Sequence, residues 1–167
     1  MTALSELGMT VRTRRAEMGL TQQHLAKLSG LSRTTVNQIE NGSIRDLSLG
    51  RATRLVEVLG LWMGVSAGTL RPTNLASASA LAKAARSASV SYKKALEPET
   101  LRSVLLHGAT PMEFQPHVRA VLEEAPISML AAVVDQLHHE NQIERSALWT
   151  QMRTLARSLH SYREVWL

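Results

Sequence analysis

Arg33, Thr34, Asn37, Gln38 and Asn41 form a row of side chains able to read the edges of base pairs. A guanidinium matches the guanine edge and a carboxamide the adenine edge, because each is planar and makes two bonds to one base. In a helix these positions share one face, with Val36 and Ile39 on the other. The rest of the chain offers less. There is no cysteine, which removes disulfides, thiolate-bound zinc and thiol nucleophiles. His138, His139 and Glu140 lack the spacing of a helical two-histidine zinc motif, since residue 143 is Ile. A solvated helix end is the expectation for them, and the scattered His107, His117 and His160 are read the same way. Glu123 and Glu124 are adjacent and point apart on a helix, which suits a surface rather than a catalytic pair. No glycine-rich loop follows a strand pattern. No enzymatic activity, metal or cofactor is therefore expected.

The elements that must position the polar row lie between Leu20 and Asn41, LTQQHLAKLSGLSRTTVNQIEN. Thr21 is placed to cap a first short helix, Gly30 to end it in a left-handed conformation, and Ser32 to cap a second. Leu25 and Leu28 then share a face with which Val36 and Ile39 can pack, with Leu31 in the corner. The pattern is a helix-turn-helix. Before it, residues 3 to 18 read as an amphipathic helix carrying Leu4, Leu7, Val11 and Met18, ended by Gly19. After it, Ser48 is placed to cap a helix with Ala52, Leu55, Val56 and Leu59 inward. Gly60 breaks that helix, and Leu61, Trp62 and Met63 are expected to close the core from below.

LTQQHLAKLSGLSRTTVNQIENG, followed by a capped helix ending in VLGL, resembles the Xre/Cro family of helix-turn-helix repressors over about residues 5 to 63. The resemblance implies an all-α protein with a five-helix, lambda-repressor-like DNA-binding domain, acting as a dimer on a palindromic operator. It places Arg33, Thr34 and Gln38 at base-reading positions, and Asn37 lies on the same face. Gln22, Thr35 and Asn41 match positions that contact phosphate, and Lys27 and Arg45 complete the expected phosphate set. Arg15 and Glu40 match an Arg–Glu pair that some members bury between helices. His24 departs from the pattern, standing where a glutamate commonly closes the capping box. Some repressors of this type carry a self-cleaving Ser–Lys peptidase, but that domain is β-rich, and the second half here shows helical periodicity.

Charge divides the chain of 167 residues, whose net charge is +5. Residues 1–70 hold eight basic and five acidic side chains, 71–94 five basic and none acidic, and 95–167 six basic and nine acidic. A basic front and an acidic back suit a polyanion at one end and a different partner at the other. Three regions are expected: a DNA-binding domain over 1–67, an Ala/Ser-rich basic linker or Ala-rich helix over 68–94, and a helical dimerisation or partner-binding domain over 95–167. In that last region Pro98, Pro111 and Pro126 delimit helices, because a first-turn proline lacks only an N–H that would have been unpaired. Trp149 and Trp166 are expected in its core. The N-terminus lacks a basic start followed by an apolar run, and no window is apolar enough to span a bilayer, so a cytoplasmic location is expected. The expected function is a dimeric repressor binding double-stranded DNA. The alternative is an antitoxin that regulates its own operon and neutralises a toxin through the C-terminal helices.

Overall fold

The computed structural model describes residues 3–64 and 79–167. Among them it is all-helical, with nine α-helices and two short 3-10 turns. Four helices form the front: α1 Ala3–Glu17, α2 Gln22–Ser29, α3 Arg33–Glu40 and α4 Leu49–Glu57. A fifth, implied by the family resemblance, is not found among the described residues of this part. Five more follow: α5 Ala80–Ser89, α6 Pro98–His107, α7 Gln115–Glu124, α8 Ile127–Asn141 and α9 Arg145–Ser158. The 3-10 turns are Met112–Phe114 and Glu164–Trp166. None of the described helices is long and apolar enough to cross a membrane.

Of the alternatives for residues 68–94, residues 80–89 adopt helix, and residues 68–78 lie outside the described residues. Ser79 caps α5 by accepting from Ala82 N–H, and alanine's helix propensity does the rest. Leu81, Ala84, Ala85 and Ala88 are buried, so α5 packs into the same core as α6, α7 and α8. Small alanines permit that close approach. The C-terminal helical core thus includes α5 as well as residues beyond 95.

One continuous apolar cluster runs from Val11, Leu25, Val36 and Ile39 in the front to Leu122, Leu130, Trp149 and Trp166 in the back. Trp149 and Trp166 are both buried, with ring centroids 6.2 Å apart, and Trp166 donates its indole N–H to the Leu122 carbonyl at 2.9 Å. Polar bonds join the two parts as well. Arg14 of α1 reaches Asp135 of α8 at 3.3 Å, and Asp135 is also held by Arg145 at 2.6 Å. Arg153 of α9 donates to the Met18 carbonyl. The two parts also approach closely at Gly60, where an added Cβ would stand 2.6 Å from the Ala131 Cβ and 3.0 Å from the Ile127 carbonyl. Its φ of +68° is a further reason for glycine.

Two expectations need correction. Trp62 does not close the core: it is 85% exposed. Leu59 already fills the bottom, and after the left-handed Gly60 Leu61 still packs on the core, partly buried, while Trp62 turns outward. His117 is not a solvated histidine either. It is buried, its Nε2 meets the Lys94 carbonyl at 2.8 Å, and its ring lies against Tyr92 and Phe114.

Candidate nucleic-acid interface

The corner between α2 and α3 is built from local bonds. Thr21 Oγ1 accepts from His24 N–H at 3.0 Å and Ser32 Oγ accepts from Thr35 N–H at 3.0 Å, each satisfying an orphan donor of a helix start. Gly30 ends α2 at φ +69°, which lets Leu31 N–H return to the Ala26 carbonyl at 3.0 Å. The turn therefore directs α3 across α2. Val36 and Ile39 of α3 are fully buried, and this fixes the rotation of the helix about its own axis.

That rotation leaves Arg33, Thr34, Asn37 and Gln38 exposed. The four line a single shallow depression of about 320 Å³. Asn41 donates its amide to the Asn37 side-chain oxygen, which leaves the Asn37 NH₂ without a partner among the described residues. Thr35 is half-buried, with its hydroxyl 2.8 Å from that of Ser32. Past the end of α3, Ser43 N–H and Ile44 N–H fold back to the Gln38 carbonyl at 2.9 and 3.2 Å, bringing exposed Arg45 after the recognition face. Neither Arg33 nor Arg45 carries an ion pair among the described residues, so both guanidinium groups are free to meet phosphate or base.

Beneath the face lies a carboxylate held by three donors. Arg15 Nε and a terminal guanidinium nitrogen meet the two Glu40 oxygens at 2.6 and 3.0 Å, and Gln22 Nε2 meets the second oxygen at 2.9 Å. Burial acts to raise the Glu40 pKa, but the bonds from Arg15 and Gln22, with the charges of Arg15 and Arg12, outweigh it and hold the carboxyl below its ordinary range. Arg15 also donates to the Leu20 carbonyl at 2.8 Å. One ion pair thus ties α1, the start of α2 and the end of α3 together. Gln22, expected at phosphate, spends its amide on that cluster.

Lys27 is separated from the other expected phosphate contacts. Its ammonium sits 2.7 Å from the Glu164 carboxylate of the chain's own C-terminal turn, in a solvent-exposed ion pair. His24, the departure from the capping box, joins the same contact by bonding the Glu164 carbonyl through Nε2 at 2.7 Å. The two lie three apart on α2 and so share a face turned toward the C-terminal region. Sequence reasoning also missed Gly8. A Cβ there would stand 2.1 Å from the Ile39 carbonyl, so its absence lets α1 lie directly on the α3 backbone. The available signal was a glycine inside a helical pattern.

Residues 11–61 match the family model described as Helix-turn-helix. This stretch is an Xre/Cro-type helix-turn-helix domain. No curated protein and no solved structure matches the chain. The helix-turn-helix domain spans α2, α3, α4 and most of α1, and its family is one of DNA-binding transcription regulators. The helices from α5 onward fall outside the match.

Proposed function

We propose that the protein is a sequence-specific repressor that binds a palindromic operator as a dimer, with α3 in the major groove of each half-site. The observation that carries this reading is the free outer face of α3. Arg33, Thr34, Asn37 and Gln38 stand exposed together while Val36 and Ile39 are fully buried. In the groove Arg33 pairs with a guanine edge and Asn37 or Gln38 with an adenine edge, while Thr34 contacts an adjacent base. Thr35, Asn41 and Arg45 meet the phosphates that flank these bases, and Gln22 supports them from the start of α2. Lys27 belongs to the same set, its 2.7 Å pair with Glu164 being a solvent-exposed one that a phosphate can displace.

A selection of binding sites from random duplexes, followed by titration of Arg33→Ala on the selected site, tests the assignment. The expected loss is about 1–3 kcal/mol on the selected site, with relaxed preference at one base pair and little change on random DNA. Equal losses on both would remove Arg33 from base reading.

A second reading is favoured by the back of the molecule. Residues 95–167 carry nine acidic against six basic side chains, and Met112 and Tyr162 are exposed there at 88% and 72%. Such a surface fits an antitoxin that covers a basic toxin while α3 represses their common operon. Growth arrest by the product of a neighbouring small reading frame, relieved by this chain, would establish that role. The full chain forming a dimer and leaving such a product toxic would favour the simple repressor.

A further inference from the structure

A cleft of about 720 Å³ opens where the helix-turn-helix domain meets the C-terminal helices. Leu28 at the end of α2, Val58, Leu61 and Trp62 beyond α4, Ile127 at the start of α8 and Val165 of the terminal 3-10 turn form its apolar wall. Its volume and its place between two parts of a chain are those of small-molecule sites. Gly60, also in the lining, lies close against α8, where an added Cβ would stand 2.6 Å from the Ala131 Cβ and 3.0 Å from the Ile127 carbonyl.

The charges at the cleft define what it accepts. Arg163 is the lining guanidinium, and it donates to the Ala125 and Leu122 carbonyls at 2.5 and 3.5 Å. Glu164 is paired with Lys27 at 2.7 Å. Glu57 lines the cleft with its carboxylate exposed and without an ion pair among the described residues. Trp62 lines the same cleft with an indole that is 85% exposed although Gly64 lies against its six-membered ring, whereas Trp149 and Trp166 are buried. An apolar wall, an uncovered indole and one unpaired carboxylate attract a hydrophobic cation. The cation is held by the indole quadrupole as well as by the carboxylate. An anion would meet Glu57 and a guanidinium already engaged with carbonyls.

We propose that this cleft is a binding site for a compact aromatic cation, whose rings pack on Leu28, Val58 and Ile127 and whose charge is shared by Trp62 and Glu57. An occupant touches α2, the helix that supports α3, and the turn whose Glu164 holds His24 and Lys27. The site is therefore placed to report a lipophilic cation to the DNA-binding face.

Calorimetric titration of the full chain with tetraphenylphosphonium tests this without DNA, so its outcome is independent of the repressor reading. Saturable one-to-one binding is expected, weakened at least tenfold in Trp62→Ala and about threefold in Glu57→Gln, and largely retained in Trp62→Phe. Both positions are exposed, so the variants should unfold at the parent's temperature. Tetraphenylborate, the anion of the same shape, should not compete for the site. Absence of saturable binding, affinity unchanged in both Trp62→Ala and Glu57→Gln, or competition by tetraphenylborate would overturn the proposal.

Discussion

Replacing Arg15 by Ala removes two of the three donors that hold a carboxylate whose side chain is only 2% exposed. Gln22 alone would remain. A buried carboxylate in that position has two outcomes: it stays charged at a cost of several kcal/mol, or it takes up a proton. The second sets a ceiling. Protonating a glutamate at pH 7 from its ordinary value costs about 4 kcal/mol, and about 1 kcal/mol at pH 5. The lost bond to the Leu20 carbonyl adds roughly 1 kcal/mol at either pH. We therefore expect Arg15→Ala to cost about 3–5 kcal/mol at pH 7, shrinking to about 1–2 kcal/mol at pH 5. Urea unfolding at the two pH values reads this directly. Arg119→Ala is the control, because its partner Glu123 is on the surface, with side-chain exposures of 49% and 36%. It should cost no more than about 0.5 kcal/mol, with no comparable change between the two pH values. An Arg15→Ala penalty below about 1 kcal/mol, or one equal at both pH values, would refute the premise that Glu40 depends on Arg15 for its charge. Since the pair joins α1, α2 and α3, duplex affinity should fall along with stability.

Two further outcomes follow from the joints between the front and the back. Burial acts to raise the Asp135 pKa, but bonds and charges from Arg145 and Arg14 outweigh it, so its carboxyl is held below the ordinary range. A depressed carboxylate contributes stability that is complete above its unfolded value, about 3.9, and is lost as pH falls through the lower folded value. Asp135→Asn should therefore be less stable than the parent at neutral pH and lose less on acidification below about pH 4, measured as the urea midpoint against pH. A steeper acid loss in the variant would contradict the linkage. Gly60→Ala meets both a left-handed backbone and the Ala131 Cβ at 2.6 Å, and should cost about 2–4 kcal/mol. Adding Ala131→Gly should recover only part of the steric share, since the Ile127 carbonyl stays 3.0 Å away and a glycine inside α8 costs about 1 kcal/mol itself, and a thermal midpoint unmoved by Gly60→Ala would show the joint to be soft.

What could be read from the sequence is what the chain decides within a few residues. Thr21, Gly30 and Ser32 are legible because a cap and its donor are three positions apart, and a left-handed turn is a property of one residue. The buried stripe of α3 is equally local: Val36 and Ile39 are turned inward by helical period, and the polar row then has to face outward. Of the helices beyond α5, α6 and α8 were legible through Pro98 and Pro126 for the same reason, whereas Pro111 precedes a 3-10 turn and α7 begins only at Gln115. Trp62 was not, because the residues after Gly60 have no period to follow, and which of them the interior accepts depends on the space Leu59 leaves. His117 was missed because its carbonyl partner at Lys94 lies on another segment.

The α2 helix shows how a local rule and a distant partner compete for one position. At His24 the capping box lacks its usual acid, and local reasoning reads only a weaker helix start. The structure gives that residue a partner 140 positions away, the Glu164 carbonyl, and gives Lys27 the Glu164 carboxylate beside it. A glutamate at position 24 would place a carboxylate next to that carboxylate and carbonyl, where like charge and unpaired acceptors disfavour contact. The cap on Thr21 Oγ1 survives through the His24 backbone N–H, which any residue supplies. The side chain is thus released from the local task and used for the long-range one. The same substitution that makes α2 less typical of its family makes the C-terminal turn specific to α2. The region beyond α5 is therefore packed on the DNA-binding domain through residues of that domain, with Arg153 on the Met18 carbonyl and Arg14 on Asp135 completing the contact.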